Sequence, residues 1–210
     1  KHAAQYRIPA IAQCKSGKVI AFADHRYHGT DIGWGHHLDI VMKTSNDGGN
    51  TWSPNEQIVA RGGSNIATDF NCGHGDATTV VDRETGEILM ICASGGICYW
   101  DSTRDLPIMM GRYYSTDEGL TWHCEDVTKH IYQLMPDVTG AFFTSGRIAQ
   151  SSRIKVGTHY RIYSGLATKQ GNRVLYSDNL GKTWNVLGNY SNAAQTAPKG
   201  DEAKIEELPN

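Results

Sequence analysis

The stretch Ser45-Asn46-Asp47-Gly48-Gly49-Asn50-Thr51-Trp52 returns twice without gaps, as Ser115-Thr116-Asp117-Glu118-Gly119-Leu120-Thr121-Trp122 and as Ser177-Asp178-Asn179-Leu180-Gly181-Lys182-Thr183-Trp184. The shared pattern is S-x-[DN]-x-G-x-T-W. Each copy follows a short β-prone run, at 38–42, 109–114 and 173–176, so each reads as a turn that leaves one strand and enters another. The residue types suit that place. Asp or Asn caps neighbouring backbone N–H groups, Gly takes a left-handed position, and Trp packs back as an apolar anchor in the core.

Working outward from these turns, further strand candidates occupy 18–23, 77–81, 88–93 and 160–164, and 80–89 reads as strand, turn, strand. No segment keeps helical periodicity over three turns, and 130–135 is the best short candidate. From Ser45 to Ser115 is 70 residues and from Ser115 to Ser177 is 62, a spacing somewhat longer than that of compact propeller repeats. The reading is an all-β fold, a propeller of four-stranded blades with inserted loops. At about 50 residues a blade the chain holds roughly four blades.

Composition narrows the function. Across 210 residues, Lys and Arg number 20 against 22 Asp and Glu, so the net charge of −2 lacks the excess positive field on which nonspecific phosphate binding relies. Nucleic acid is not an expected partner. No apolar run approaches the roughly 20 residues of a membrane-spanning helix, and 23 glycines suit many short strands joined by turns. Cys14, Cys72, Cys92, Cys98 and Cys124 form no CxxC pair and read mostly as buried small hydrophobes. Nine histidines show no HExxH spacing and no EF-hand-like loop occurs, so no metal and no cofactor is expected.

The repeated turns resemble the Asp boxes of sialidases and of several other propeller families. Tyr6-Arg7-Ile8-Pro9-Ala10 sharpens the likeness, because it resembles the YRIP segment of sialidases, whose arginine is the first of three that clasp the substrate carboxylate. A planar guanidinium grips a carboxylate through two parallel hydrogen bonds, which lysine cannot reproduce. The segment Ala23-Asp24-His25-Arg26-Tyr27-His28-Gly29-Thr30-Asp31 is similar to the family stretch holding a second arginine near the sugar O4 and then the acid/base aspartate. The resemblance assigns these roles to Arg26 and Asp31, with Asp24 and Asp39 as nearby competitors. A carboxyl in a closed, partly apolar site would have its pKa raised by desolvation, as an acid/base catalyst requires.

By the same resemblance Asp76, in Gly73-His74-Gly75-Asp76-Ala77, binds the O4 hydroxyl, and Trp100, in Ile97-Cys98-Tyr99-Trp100, belongs to an aromatic wall around the N-acetyl group. Gly200-Asp201-Glu202-Ala203-Lys204-Ile205-Glu206-Glu207-Leu208 looks like the family strand whose first glutamate, here Glu202, activates a nucleophilic tyrosine. Tyrosine has a physical rationale: a carboxylate attacking a carbon that already bears one would meet like-charge repulsion. The implied activity is that of a retaining exo-α-sialidase removing terminal α-linked sialic acid from glycans. A trans-sialidase, or a noncatalytic Asp-box propeller that binds glycans or proteins, is the alternative.

The family propeller has six blades, so residues 1–210 are expected to be a partial catalytic domain, truncated before the last blades. The tyrosine and two more arginines are expected beyond residue 210. The missing blades would come from downstream or from another chain, since a cut propeller leaves strand edges unpaired. A secreted or periplasmic location is expected.

Overall fold

A computed structural model describes residues 4–35, 37–188, 200 and 202–209. The strands are β1 (Gln5–Gln13), β2 (Val19–Arg26), β3 (Leu38–Ser45), β4 (Gln57–Ala60), β5 (His74–Val81), β6 (Ile88–Ser94), β7 (Met109–Ser115) and β8 (His123–Asp126). One short helix, α1 (Thr128–Leu134), precedes β9 (Ala141–Phe143), β10 (Gly146–Arg147), β11 (Ala149–Val156), β12 (His159–Thr168), β13 (Arg173–Ser177) and β14 (Asn185–Val186). Every strand anticipated between residues 18 and 176 is present, and α1 overlaps the anticipated helical segment.

The strands form three antiparallel meanders, ordered β1-β2-β3-β4, β5-β6-β7-β8 and β11-β12-β13-β14. Two short strands bridge them: β10 adds parallel to β5, and β9 pairs with β12. Three sheets, rather than roughly four, are built from the described residues. The long connections at 61–73 and 95–108, and the stretch 127–140 that carries α1, consume chain that a compact repeat would spend on strands. No closed ring is formed among the described residues.

Burial along β6 shows how the sheets stack. All seven of its residues are buried, and alternation sends them to opposite faces. Ile88, Met90 and Cys92 join Ile20, Phe22, Ile40 and Met42 of the first sheet. Leu89 and Ile91 join Ile162, Leu166, Leu175 and Trp184 of the third, together with Ile131 and Met135 around α1. The second sheet is therefore the middle layer. In β2 the same alternation leaves Ile20, Phe22, Asp24 and Arg26 buried and the intervening residues half-buried.

The three repeated turns begin on the last residues of β3, β7 and β13 and share one hydrogen-bond pattern. Ser45 Oγ donates to Asp47 Oδ1 at 2.7 Å and accepts from Gly49 N at 2.9 Å, while Asp47 accepts from Thr51 N at 2.8 Å and Thr51 Oγ1 at 2.6 Å. Ser115, Asp117, Gly119 and Thr121 repeat these bonds. In the third turn Asn179 Oδ1 accepts from Ser177 Oγ and Thr183 N, but its amide donates to Thr183 Oγ1 at 2.8 Å. The bonds from Thr51 and from Thr121 hold Asp47 and Asp117 down at about 2.

The tryptophans do not share one environment, contrary to the expectation that all lie in the core. Trp184 is 1% exposed and stacks obliquely on Phe143, Trp122 is half-buried edge-on to Phe22, and Trp52 is 38% exposed. Leu89 of the second sheet covers Gly181, and Ile20 of the first covers Gly119, whereas Gly49 meets only its own Trp52. Of the five cysteines, all free, only Cys14 and Cys92 are fully buried.

Candidate active site

The cavity opens at the strand ends opposite the repeated turns. It has a volume of about 560 Å³, and Arg7, Arg26, Asp31, Asp76, Trp100 and Glu202 all border it. These six residues come from β1, β2, the loop after β2, β5, the loop after β6, and the 202–209 segment. Asp201 lies outside the described residues.

Two irregularities aim side chains into this space. Alternation would send Arg7 and Ile8 to opposite faces of β1, yet both line the cavity. The reason is a break in the β1–β2 register between Arg7 and Ala10, with Ile8 at φ 52°. A β-branched residue in the left-handed region carries strain on the order of 1–3 kcal/mol, which the surrounding sheet must hold. The second break, between Gly75 and Thr78 of β5, turns Asp76 inward at φ 60°.

Asp24, which the sequence offered only as a competitor of Asp31, ties the two irregular strands together. Its Oδ2 accepts from Arg26 Nε at 3.2 Å and Nη2 at 2.8 Å, and its Oδ1 accepts from the Asp76 N–H at 3.0 Å. Gly75 makes this approach possible, since a Cβ there would stand 3.0 Å from Asp24 Oδ2. Asp24 and Arg26 are buried, a pairing that compensates each charge for lost hydration. Arg26 Nη1 also reaches Asp31 Oδ2 at 3.1 Å, and Asp31 Oδ1 accepts from the Ile32 N–H.

Electrostatically, the acids outnumber the bases. Asp24, Asp31, Asp76 and Glu202 face Arg7 and Arg26. Burial, reinforced by the Asp31 charge, pushes Asp76 up to about 6. Burial, followed by the charge of Asp76, also raises Asp24 above the usual carboxylate range, against the pull of Arg26. The desolvation expected at Asp31 is absent: its side chain is 51% exposed and ion-paired. Arg7 is exposed and forms no ion pair among the described residues, its charge acting on Asp76 without direct contact, which leaves it the less committed guanidinium of the cavity.

The apolar wall lies deeper than Trp100. Ile108, Tyr99 and Phe142 line the cavity, with Tyr99 edge-on to Phe142 at 5.0 Å. Trp100 is 70% exposed and Trp34 is 65% exposed, so both indoles stand at the mouth. Tyr99 sits beside the quoted Trp100, but Phe142, Ile108 and Trp34 carry no local motif, and only the folded loops bring them here.

Residues 202–209 carry no strand, contrary to the reading of Glu202 as part of one. The segment lies against β10 and the outer strand β11, where the Ser152 N–H donates to the Glu207 carboxylate. Side chains dock the segment instead: Glu207 accepts from the hydroxyls of Ser151 and Ser152, and Glu206 pairs with Arg147. Alternation persists without pairing. Glu202, Lys204 and Glu206 are exposed, while Ala203, Ile205 and Glu207 are half-buried. Among the described residues, no three His, Cys, Asp or Glu side chains are grouped to hold a metal ion.

Comparison with known proteins finds similarity to sialidases in sequence and in fold. The BNR/Asp-box repeat model matches residues 113–123, the second of the three turns. A sialidase of Clostridium perfringens is 29% identical over 195 residues, covering 88% of this chain and 49% of the relative. A sialidase of Micromonospora viridifaciens is 30% identical over 193 residues, covering 85% of this chain and 28% of the relative. The chain thus spans half or less of the length of these relatives. In fold, it is similar to the Hadza microbial sialidase Hz136, with a TM-score of 0.66 over 88% of this chain and 37% of that one, at 22% identity. It is also similar to the Ruminococcus gnavus intramolecular trans-sialidase solved with oseltamivir carboxylate, with a TM-score of 0.69 over 87% of this chain and 60% of that one, at 16% identity. Repeats, sequence and fold together make the chain a homologue of the sialidases with Asp boxes, matching part of their length.

Proposed function

We propose that the protein is a retaining exo-α-sialidase, with this chain supplying one side of its active site. The observation that carries the reading is the convergence of Arg7, Arg26, Asp31, Asp76 and Glu202 from distant segments on one cavity. In the proposed mechanism Arg7 receives the substrate carboxylate, because it is the guanidinium not already neutralised by an acid. Arg26 is committed to Asp24 and Asp31, so it acts chiefly as the fixed cation that orients them. Asp76, held partly protonated near neutrality, can donate to or accept from a sugar hydroxyl.

Asp31 is assigned to protonate the leaving oxygen and then to deprotonate water. A sugar seated over its exposed carboxyl supplies the desolvation that the cavity alone does not provide. Glu202 is assigned to activate a tyrosine nucleophile, giving a covalent sialyl-tyrosine that water then opens. The substrates on this reading are terminal α-linked sialic acids of glycans.

The test is turnover of a fluorogenic sialoside by the full-length protein. Asp31→Ala is expected to lower kcat by about 10²–10⁴-fold with a leaving group that needs protonation, and by less with one that does not. Arg7→Ala is expected to raise KM for the sialoside and to leave binding of a neutral hexoside unaltered. Undiminished turnover in both variants would remove the reading. Release of a 2,7-anhydro or transferred product, in place of free sialic acid, would reassign the protein to the trans-sialidases.

A further inference from the structure

We propose that Lys169 is a positioning residue for the aromatic mouth of the cavity, holding Trp100 where a bound glycan meets it. The proposal rests on the sialidase reading of the site. Lys169 follows the end of β12 in the third sheet, whereas Trp100 belongs to the loop after β6 in the second. Its ammonium donates to the Trp100 carbonyl at 2.9 Å and to the Ser102 carbonyl at 2.6 Å. No carboxylate pairs with it among the described residues, so the charge is committed to two carbonyl dipoles of one tight turn.

The other bonds of the turn are local, while Arg104 ties the residues that follow it to the carbonyls of Tyr132, Met135 and Val138. The N–H groups of Asp101 and Ser102 donate to the Cys98 carbonyl, and Ser102 Oγ donates to the Tyr99 carbonyl. Trp100 is exposed, with Tyr99 as its ring contact at 5.0 Å. An exposed indole is held mainly through its own backbone, and here the backbone is held by a cation from another sheet. The lysine is itself placed: its N–H donates to the Gly140 carbonyl, and a Cβ on Gly140 would come within 2.8 Å of Lys169 Cε and 2.4 Å of Ser102 Oγ. Gly140 therefore allows the two sheets to meet where Lys169 crosses. Because Phe142 pairs with Ala167 just upstream, the same strand end sets both the deep wall and the mouth.

A lysine that only stabilised the fold would change stability alone. A lysine that places Trp100 changes recognition through Trp100. The experiment compares Lys169→Met, Lys169→Arg, Trp100→Ala and the Lys169→Met/Trp100→Ala double variant in the full-length protein. Hydrogen exchange at the Asp101 and Ser102 amides is expected to quicken at least ten-fold in Lys169→Met and to stay near the parent rate in Lys169→Arg. With sialyllactose as substrate, Lys169→Met is expected to raise KM about five-fold or more with kcat within two-fold, and to add nothing to Trp100→Ala. Unchanged amide exchange, or KM effects that multiply in the double variant, would overturn the proposal. Exchange is read without turnover, so failure of the sialidase reading and failure of the Lys169 clamp are separately visible.

Discussion

The two ends of these sheets are built on opposite terms. At one end, three turns repeat the same side-chain hydrogen bonds to within a few tenths of an ångström, and the caps are satisfied within each turn. At the other end nothing repeats. Strand registers break, Ile8 and Asp76 take left-handed backbone, and buried Asp24 and Arg26 are bonded to each other and to groups from other elements. The repeating end behaves as local chemistry and the cavity end as a collective arrangement. Left-handed backbone at non-glycine residues occurs at both ends, at Glu118 and Leu180 in the turns as at Ile8 and Asp76, so what sets the cavity end apart is its broken registers and the buried Asp24–Arg26 pair that ties them together.

The comparison predicts where damage spreads. Asp24→Ala is expected to cost about 3–5 kcal/mol of stability in chemical denaturation, because it leaves buried Arg26 with Asp31 as its one remaining ion pair among the described residues. The same variant should free the Asp76 loop and weaken binding at the cavity. A loss under about 1 kcal/mol would show that water or backbone takes over the role of Asp24, and that the cavity end is less collective than its geometry implies.

Trp184→Ala is expected to cost about 3–5 kcal/mol, as for other fully buried aromatic residues, whereas Trp52→Ala should cost at most about 1 kcal/mol. The pair measures how far one repeated turn depends on its neighbour. Equal losses at both positions would mean that Trp52 is packed in solution much as Trp184 is.

The smallest effect concerns titration. Asp47 and Asp117 are held at about 2, below the ordinary carboxylate value near 4, so the unfolded chain binds protons more readily than the folded one. Their contribution is complete above about pH 4 and fades as pH falls through about 2. Asn179 does not titrate. Asn179→Asp is therefore expected to be close to neutral at pH 7, with the Thr183 hydroxyl reversing to donate, and to add acid sensitivity below pH 4. Melting curves between pH 2 and 7 check this, and an unchanged acid profile would show that the third turn cannot adopt the Asp pattern.

Much of this was legible before folding. The turn pattern is local: the serine and Asp or Asn that cap each turn sit within five residues of the groups they bond, so a short window of sequence contains the whole interaction. Short β-prone runs placed β2, β3, β5, β6, β7, β12 and β13 for the same reason. Glu202 was legible as a chemical candidate, but the strand read around it did not form, because strand pairing is decided by how the segment docks on β10 and β11, where the Glu207 side chain takes the Ser152 N–H.

What the amino-acid sequence determined by itself, then, is the set of elements whose chemistry closes over a few residues: three capped turns, the alternating strands, and a guanidinium and acids of the right type. The tertiary structure alone decided that Asp24 would bond both Arg26 and the backbone of β5, that Phe142 and Tyr99 would share a wall, that Trp52 and Trp184 would differ, and that Lys169 would reach Trp100. Each of these depends on groups far apart in the chain. Their energies are set by burial and by the neighbouring sheet, neither of which a local stretch of sequence contains.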